Sequence, residues 1–372
     1  MKTIWTRAAA CLLLASCGQD DQKESAAPAP GQQAKAEIAA PAAAAAPAAA
    51  SESREFRDWR ATCDNTNDCV AFGPASEGTG WVRVGSAPGP NGARTVTVGF
   101  WPSSGDGLTG PITLTLDGRR HVAAPIKGDH DPLGAAAVAA TEATAVASGL
   151  ASGRTLTLTG SGETVEMSLS GASAAMLWID ERQGRLDTTT ALVRKGTRPA
   201  SSVPGAALAP QVVPAPSIAQ TGFGDTGQTL PAALEAVAAV KACRAEIGET
   251  AMGDQVMSAR LDASTELWAV PCFAGAYNIG HEWYLTGPGG RNPRPVSLAS
   301  ATGGSDAGTV NGGYSASTRT ITAFSKGRGI GDCGTTSTWT WTGRTFVLSE
   351  ESSMGECWGV PADFWPTTWR TR

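Results

Sequence analysis

The segment ITLTLDGRRHV, Ile112–Val122, indicates the fold class of this chain more directly than any other stretch. Apolar and polar residues alternate on both sides of Asp117-Gly118, which is the period of a half-buried strand. The Asp-Gly pair favours the positive φ angles that a type I′ turn requires at both central positions. The segment therefore predicts an antiparallel β-hairpin.

The same alternation recurs around this hairpin, in WVRVG (81–85), TVTVGFW (95–101) and TLTLTG (155–160). A second hairpin is expected in TLTGSGETVEMSL, residues 157–169. Between the two hairpins, LGAAAVAATEATAVASGL is alanine-rich and predicts a helix, with Asp131 as its cap and Pro132 in its first turn. A short helix is expected after Gly171. We therefore predict a β-sandwich-like domain with one or two packed helices over residues 54–196.

Residues 229–372 predict a second domain, of α+β class with an antiparallel sheet. A helix with Pro231 in its first turn would bury one face. That face consists of Leu234, Val237, Ala238 and Cys243. Strands follow in TELWAVPC and TRTITAFS, and the hairpin TWTWTGRTFVLS has a Gly343-Arg344 centre that suits a type II′ turn. Residues 197–228 are rich in proline and lack an amphipathic period, so they are predicted to be an interdomain linker.

The first residues are typical of an export signal. A short positive region precedes an apolar run that is too short to span a bilayer. The run ends in LASC, residues 14–17, which resembles the lipobox of bacterial lipoproteins and implies a signal peptide over 1–16 and acylation of Cys17. The alternative is an ordinary signal peptide that is cut nearby and leaves Cys17 as an odd thiol. Residues 17–53 would be the acyl anchor and an Ala/Pro-rich tether.

These features predict a protein of the cell envelope. The N-terminal acyl chains would attach the protein to a membrane, its expected partner. Gly18 favours the outer membrane, facing the periplasm, because in enterobacteria-like sorting an Asp at that position favours the inner membrane. The formal net charge of −5 argues against nucleic-acid binding, which is typical of proteins with an excess of positive charge.

Six cysteines remain after Cys11 in the signal and Cys17 at its end. An even number in an exported chain argues for disulfide bonds. Cys63 and Cys69 are close together and far from the others, so they are expected to pair. Sequence distance favours Cys243–Cys272 and Cys333–Cys357 for the rest. No metal or cofactor is expected, because no CxxC occurs and the three histidines do not cluster with cysteines.

Several segments together resemble a known bacterial family, the domain of unknown function 1176. They are FRDWRATCDNTNDCVAFG, LWAVPCFAGAYN, VNGGYSASTRTITAFSKGRGIGDCG and FWPTTWR. The resemblance includes all six paired cysteines. Residues 54–196 also resemble the invasion-associated locus B family, through the DWRATCDN opening, TLTLTG and SLSGASAAM, which implies an exported β-sandwich. Neither resemblance implies a set of catalytic residues.

KGRGIGDCG, residues 326–334, allows three interpretations: a phosphate loop, a reactive thiol or a glycine turn closed by a disulfide. A phosphate loop is followed by a helix, whereas the segment that follows here, TTSTWTWTG, has the pattern of a strand. This argues against a phosphate loop. A disulfide bond between Cys333 and Cys357 would leave no free thiol, which argues against a reactive Cys333. The glycine turn is favoured, with Lys326, Arg328 and Asp332 projecting from it as possible ligands for an anionic group.

Seven of the twelve tryptophans lie in residues 229–372, and most tryptophans are core residues. The C-terminal CWGVPADFWPTTWRTR is harder to bury, and exposed Trp365 and Trp369 would offer flat rings for stacking on a sugar. The favoured function is a non-enzymatic binding or structural module for an envelope component, such as cell-wall glycan or another envelope protein. The alternative is an envelope glycan hydrolase. Its acids would come from the nearby carboxylates Asp332, Glu350, Glu351, Glu356 and Asp363.

Overall fold

The predicted hairpin at residues 112–122 is present in the structure, a computed structural model that describes residues 50–105, 108, 110–127 and 134–372. Ile112–Leu116 pairs with Arg119–Pro125 in antiparallel register. Asp117 and Gly118 have φ angles of 47° and 81°, as a type I′ turn requires. The local pattern is therefore sufficient to determine this element.

The described residues of the N-terminal half, 50–105, 108, 110–127 and 134–196, contain ten strands in one antiparallel sheet. The strands are β1 (Glu52–Phe56), β2 (Trp59–Cys63), β3 (Cys69–Pro74), β4 (Gly80–Ser86), β5 (Arg94–Phe100), β6 (Ile112–Leu116), β7 (Arg119–Pro125), β8 (Ala135–Val138), β9 (Leu156–Gly160) and β10 (Glu163–Met167). Their order in the sheet is β1-β2-β3-β4-β5-β8-β7-β6-β9-β10.

This sheet curves until its far strand returns to β3. Ala75 forms a β-bridge with Met167, and the Ser168 N–H donates to the Pro74 carbonyl at 3.0 Å. Alternate side chains of the strands enclose the core, which α1 (Ala140–Ser152) and α2 (Ala172–Arg182) complete with Leu150 and Ile179. The predicted mainly β class with packed helices is confirmed.

The alanine-rich segment does not begin as the predicted helix. Ala135–Val138 is strand β8, and helix α1 starts only at Ala140. β8 pairs with β5 on one side and β7 on the other, so its backbone groups are satisfied in the sheet. Long-range pairing therefore overrides the helix propensity of alanine here. The predicted cap, Asp131-Pro132, lies outside the described residues.

The C-terminal half, residues 229–372, contains two antiparallel five-stranded sheets and a two-stranded ribbon. The first sheet contains β11 (Met257–Arg260), β12 (Glu266–Ala274), β13 (Ile279–Gly287), β14 (Arg291–Pro295) and β17 (Gly308–Val310). The ribbon is β15 (Leu298–Ala299) with β16 (Ser305–Asp306). The second sheet contains β18 (Gly313–Ser315), β19 (Thr320–Lys326), β20 (Gly334–Trp341), β21 (Phe346–Met354) and β22 (Thr367–Arg370).

One hydrophobic core joins these two sheets. It includes Leu267 and Trp283 from the first sheet and Ile321, Trp339 and Trp341 from the second. A smaller core lies on the other face of the first sheet, where helix α4 packs on β12. The predicted α+β class with an antiparallel sheet is confirmed for this half.

The predicted helix after Pro231 is interrupted. It consists of α3 (Ala232–Glu235) and α4 (Ala238–Ile247), because Val237 has an extended ψ of 131°. Leu234 and Cys243 are buried as predicted, whereas Ala238 is exposed since it begins the second helix. Among the described residues, no helix has the length and apolar character that spanning a membrane would need.

The proline-rich residues 197–228 follow an extended path along the protein. The Ala207 N–H donates to the Thr66 carbonyl at 3.3 Å, and the Ala215 N–H donates to the Trp341 carbonyl at 2.8 Å. Further along, the Gln220 side chain forms hydrogen bonds of 2.8 and 2.9 Å with the backbone of Arg260. This segment is thus hydrogen-bonded to both halves of the chain.

The two halves pack directly against each other, and residues 50–372 belong to one compact unit. Their shared apolar cluster contains Phe72 and Trp81 from the N-terminal half and Met354, Val360 and Trp365 from the C-terminal half. The Arg370 guanidinium also connects the halves, through ion pairs with the buried carboxylate of Asp64 and with Asp68.

Candidate functional site

The KGRGIGDCG segment forms the turn between β19 and β20. Gly331 and Gly334 have φ angles of 69° and 139°, which residues with side chains rarely adopt. Cys333 is bonded to Cys357. The described part of the chain contains two further disulfides, Cys63–Cys69 and Cys243–Cys272. The turn is followed by strand β20 and not by the helix that a phosphate loop needs.

Asp332 holds this turn against the C-terminal segment. Its carboxylate accepts hydrogen bonds from Arg328 Nε at 2.7 Å, from an Arg328 terminal nitrogen at 2.5 Å and from the Gly359 N–H at 2.7 Å. Burial alone would raise the pKa of Asp332, but the hydrogen bonds from Arg328 and Gly359 outweigh it and lower the pKa below its ordinary value. Asp332 is therefore an ionised structural group.

Arg328 is not free to bind a ligand as predicted. Besides its two contacts with Asp332, it donates to the Cys357 carbonyl at 2.9 Å. The hydrogen bond to Asp332 raises the pKa of the guanidinium. Because the charge of Arg328 is already matched by Asp332, this pair fixes the turn and contributes little net charge.

A cleft of about 310 Å³ lies beside the turn, between the two halves of the chain. Its walls are mostly apolar. The N-terminal half contributes Phe100, Trp101 and Leu108, and the C-terminal half contributes Phe324, Ile330 and Pro361. Trp101 is 46% exposed and Ile330 is 58% exposed, so aromatic and aliphatic surface is open to solvent here. Sites for small molecules are typically of this size and character.

Lys326 provides the positive charge with which a ligand in this cleft could pair. The only charged side chains among its described lining residues are Lys326 and Asp332. The Lys326 ammonium lies 5.4 Å from the centre of the Phe324 ring and forms no ion pair with any described residue. An anionic group in the cleft could therefore pair with Lys326 without displacing an existing carboxylate.

The two predicted aromatic residues do not form the expected surface. Trp365 is only 3% exposed, donates its indole N–H to the Val360 carbonyl at 2.9 Å and packs on Phe324. Trp369 is half-buried against the core of the C-terminal half and donates to the Leu348 carbonyl at 3.2 Å. The Trp365 ring is therefore not available as a flat platform for a sugar, because it lies in the cluster between the two halves, whereas Trp369 is only partly covered.

The carboxylates considered for hydrolysis are dispersed. Asp332 is bound to Arg328, and Glu356 forms an ion pair of 2.8 Å with Arg60. Glu351 is fully buried rather than solvated, and accepts hydrogen bonds from Ser300 at 2.7 Å and Thr368 at 2.8 Å. Among the described residues, the inter-half cleft is lined by one carboxylate, which opposes a two-carboxylate mechanism there.

Sequence reasoning missed the half of the cleft that comes from Phe100 and Trp101. The sequence did contain a signal for this. Alternation along TVTVGFW places Trp101 on the polar face of the strand with Thr95 and Thr97, where a large aromatic residue is unexpected. Phe100 is 1% exposed whereas Trp101 projects beyond the sheet. The predicted lipidation site, Cys17, lies outside the described residues.

Comparison with known proteins places the chain in a family. The sequence model of "Protein of unknown function (DUF1176)" matches residues 53–372. A similar protein is "Uncharacterized protein YpfG" of Escherichia coli (strain K12), 28% identical over 345 residues, which cover 86% of this chain and 93% of that protein.

A solved structure that is similar in part is the invasion associated protein B of Bartonella henselae. It is 16% identical, with a TM-score of 0.27, and covers 36% of this chain and 99% of that chain. The match of the family model extends over both halves and all six paired cysteines. This chain therefore belongs to the DUF1176 family, the resemblance that its cysteine-containing segments indicate.

Proposed function

We propose that this protein is a non-enzymatic binding module of the bacterial cell envelope, attached to the outer membrane through acylated Cys17 and facing the periplasm. The LASC segment and the Ala/Pro-rich tether support the anchor. The disulfide bonds support an oxidising compartment outside the cytoplasm. We further propose two modules, residues 54–196 and 229–372, with residues 197–228 as the connecting segment.

The inter-half cleft is the proposed binding site. The observation that carries it is that Lys326, which has no ion pair with a described residue, and the exposed Trp101 line the same cleft. Apolar walls favour a ligand with an aromatic or aliphatic body. Lys326 favours an anionic group on that body, since Asp332 is neutralised by Arg328. The expected ligand is an amphipathic anion of the envelope, free or attached to an envelope protein or glycan.

The charge preference can be measured with two matched dyes. We expect 1-anilinonaphthalene-8-sulfonate to bind more tightly than N-phenyl-1-naphthylamine, which has the same rings without the sulfonate. In Lys326→Met, sulfonate binding should weaken about tenfold, the equivalent of one charge-assisted hydrogen bond of about 1.4 kcal/mol, while the neutral dye should bind unchanged. Fluorescence titration at fixed ionic strength gives both affinities.

Lys241→Met is the matched control, because Lys241 lies on α4 and is exposed outside the cleft. It should leave the binding of both dyes unchanged. An equal effect of the two lysine substitutions would show that only the net charge matters and would remove the basis for a site at Lys326.

The anchor is tested separately, in cells. Radiolabelled palmitate should enter the wild-type chain and should not enter Cys17→Ser, because the thiol is the acylated atom. The variant should also leave the membrane fraction. Fatty acid in the variant, or none in the wild type, would contradict lipidation at Cys17 and leave the cleft proposal unaffected.

A further inference from the structure

Three exposed apolar side chains border the inter-half cleft. Trp101 is 46% exposed, Ile330 is 58% exposed and Tyr277 is 65% exposed. Trp101 and Ile330 line the cleft itself, from opposite halves of the chain. Tyr277 lies next to the cleft lining, in the turn between β12 and β13. We call these three residues the cleft rim.

The Tyr277 ring is held against the glycine turn between β19 and β20. It lies on Gly329, where an added Cβ would come within 2.8 Å of the ring. The neighbouring Asn278 side chain donates a hydrogen bond to the Lys326 carbonyl at 3.2 Å. These contacts fix the two turns to each other, so Tyr277 and Ile330 project from one frame.

Trp101 is held to the same frame from the other side of the cleft. Its indole N–H donates to the Gly359 carbonyl at 2.8 Å, and the Gly359 N–H donates to Asp332 at 2.7 Å, two residues after Ile330. The rim is therefore fixed in place with its apolar surface in contact with water. Exposed apolar surface of this kind marks sites where a protein binds another protein or a membrane.

The charge beside the rim favours a membrane as the partner. Lys326 is half-buried in the cleft and forms no ion pair with any described residue, whereas Asp332 is neutralised by Arg328. The rim thus has an unpaired cation although the whole chain has a formal charge of −5. Tryptophan and tyrosine are enriched at membrane–water interfaces, because each has an apolar ring and a polar end. A lysine at that level is attracted by anionic headgroups.

We propose that the cleft rim docks on a lipid surface that contains anionic phospholipid, with its three apolar side chains in the interface and Lys326 paired with a headgroup phosphate. This deepens the proposed function, on which it rests, because the cleft would take its amphipathic anion from the bilayer. The proposed anchor at Cys17 would keep the rim near a membrane, so a weak affinity of the rim itself is sufficient.

Docking is measured without the acyl chain. Residues 18–372 lack the acylated cysteine and retain the whole compact unit with its disulfides. Co-sedimentation with vesicles of phosphatidylcholine, and of equal parts of phosphatidylcholine and phosphatidylglycerol, gives two partition coefficients. Lys326→Met should weaken binding to the vesicles with phosphatidylglycerol about fivefold, the effect of one cation at an anionic surface. Binding to phosphatidylcholine alone should stay unchanged.

The apolar contribution is measured with matched double variants. Tyr277→Ser with Ile330→Ser should lower both partition coefficients about tenfold or more, because two apolar side chains no longer leave water on docking. Leu208→Ser with Val213→Ser is the control, since these side chains are 59% and 63% exposed and do not line the cleft. The control should bind both vesicles as the wild type does. All four side chains are exposed, so the fold should be retained, which circular dichroism checks.

Tyr277→Ser alone separates docking from the cleft function, because Tyr277 does not line the cleft. It should weaken vesicle binding and leave the binding of 1-anilinonaphthalene-8-sulfonate unchanged. A wild type that binds the dye but neither vesicle would overturn docking alone and favour a protein partner for the rim. A wild type that binds vesicles but not the dye would overturn the cleft function instead.

Two further results would contradict docking by the rim. Equal losses in the two double variants would show that any exposed apolar side chain contributes to vesicle binding. Unchanged binding of Lys326→Met to both vesicles would exclude the pairing of Lys326 with a headgroup phosphate.

Discussion

Replacing Trp81 with alanine is expected to lower the free energy of unfolding by about 3–5 kcal/mol, the range for truncating a fully buried aromatic residue. Trp81 is 0% exposed and lies in the cluster that joins the two halves. Its ring centre lies 5.4 Å from that of Phe364, and its indole N–H donates to the Gly359 carbonyl at 3.1 Å. The substitution would leave a cavity at the interface, while the Gly359 carbonyl would keep its second donor, the Trp101 indole.

Trp101→Ala provides a matched control for this prediction. Trp101 donates to the same Gly359 carbonyl, at 2.8 Å, yet it is 46% exposed. Its loss should therefore cost only about 1 kcal/mol. Urea unfolding followed by circular dichroism, with the disulfides intact, measures both variants. Equal losses for Trp81→Ala and Trp101→Ala would mean that the hydrogen bond, rather than burial at the interface, stabilises this region.

Replacing Asp332 with asparagine is expected to cost about 2–3 kcal/mol at pH 7. The change retains the size of the side chain but removes its charge, and only one oxygen remains to accept from Arg328 and the Gly359 N–H. Because these contacts tie the 326–334 turn to the C-terminal segment, the cost should appear in global unfolding. Asp363→Asn, at an exposed position nearby, should have almost no effect.

The cost of Asp332→Asn should depend on pH with a defined sign. The folded-state pKa of Asp332 is lower than its ordinary value of 3.8, because the hydrogen bonds from Arg328 and Gly359 outweigh burial. The ionised form therefore stabilises the fold fully above that ordinary value, and this stabilisation is lost as the pH falls through the lower folded-state pKa. The difference between wild type and Asp332→Asn should shrink below pH 3.8. A difference that is constant with pH would indicate a steric effect instead.

Local pattern was sufficient for the elements that need only neighbouring residues. The Asp117-Gly118 hairpin depends on alternation and on two positive φ angles, and both are encoded within a dozen residues. The second hairpin is likewise present as β9 and β10, with its turn at Ser161-Gly162. Sequence distance favoured the same three cysteine pairs that the structure contains.

Local pattern failed where distant residues decide the outcome. Ala135–Val138 has helical propensity, yet it fills a gap between β5 and β7 and becomes a strand. Trp365 lies in the C-terminal segment CWGVPADFWPTTWRTR, which was predicted to be hard to bury entirely. It is buried because Phe324 and other residues distant in sequence cover it. The charge of Arg328 is matched by Asp332, whose carboxylate is also held by the Gly359 N–H.

The sequence by itself determined the mainly β class, the hairpins and the family of this protein, because alternation, turn residues and cysteine spacing are local properties of the chain. Only the tertiary structure decided that Lys326 and Trp101 share one cleft and that His281 and Ser337 border one groove between two sheets. These sites join strands that are far apart in sequence. Burial and the pairing of charges depend on that three-dimensional packing, which no local pattern contains.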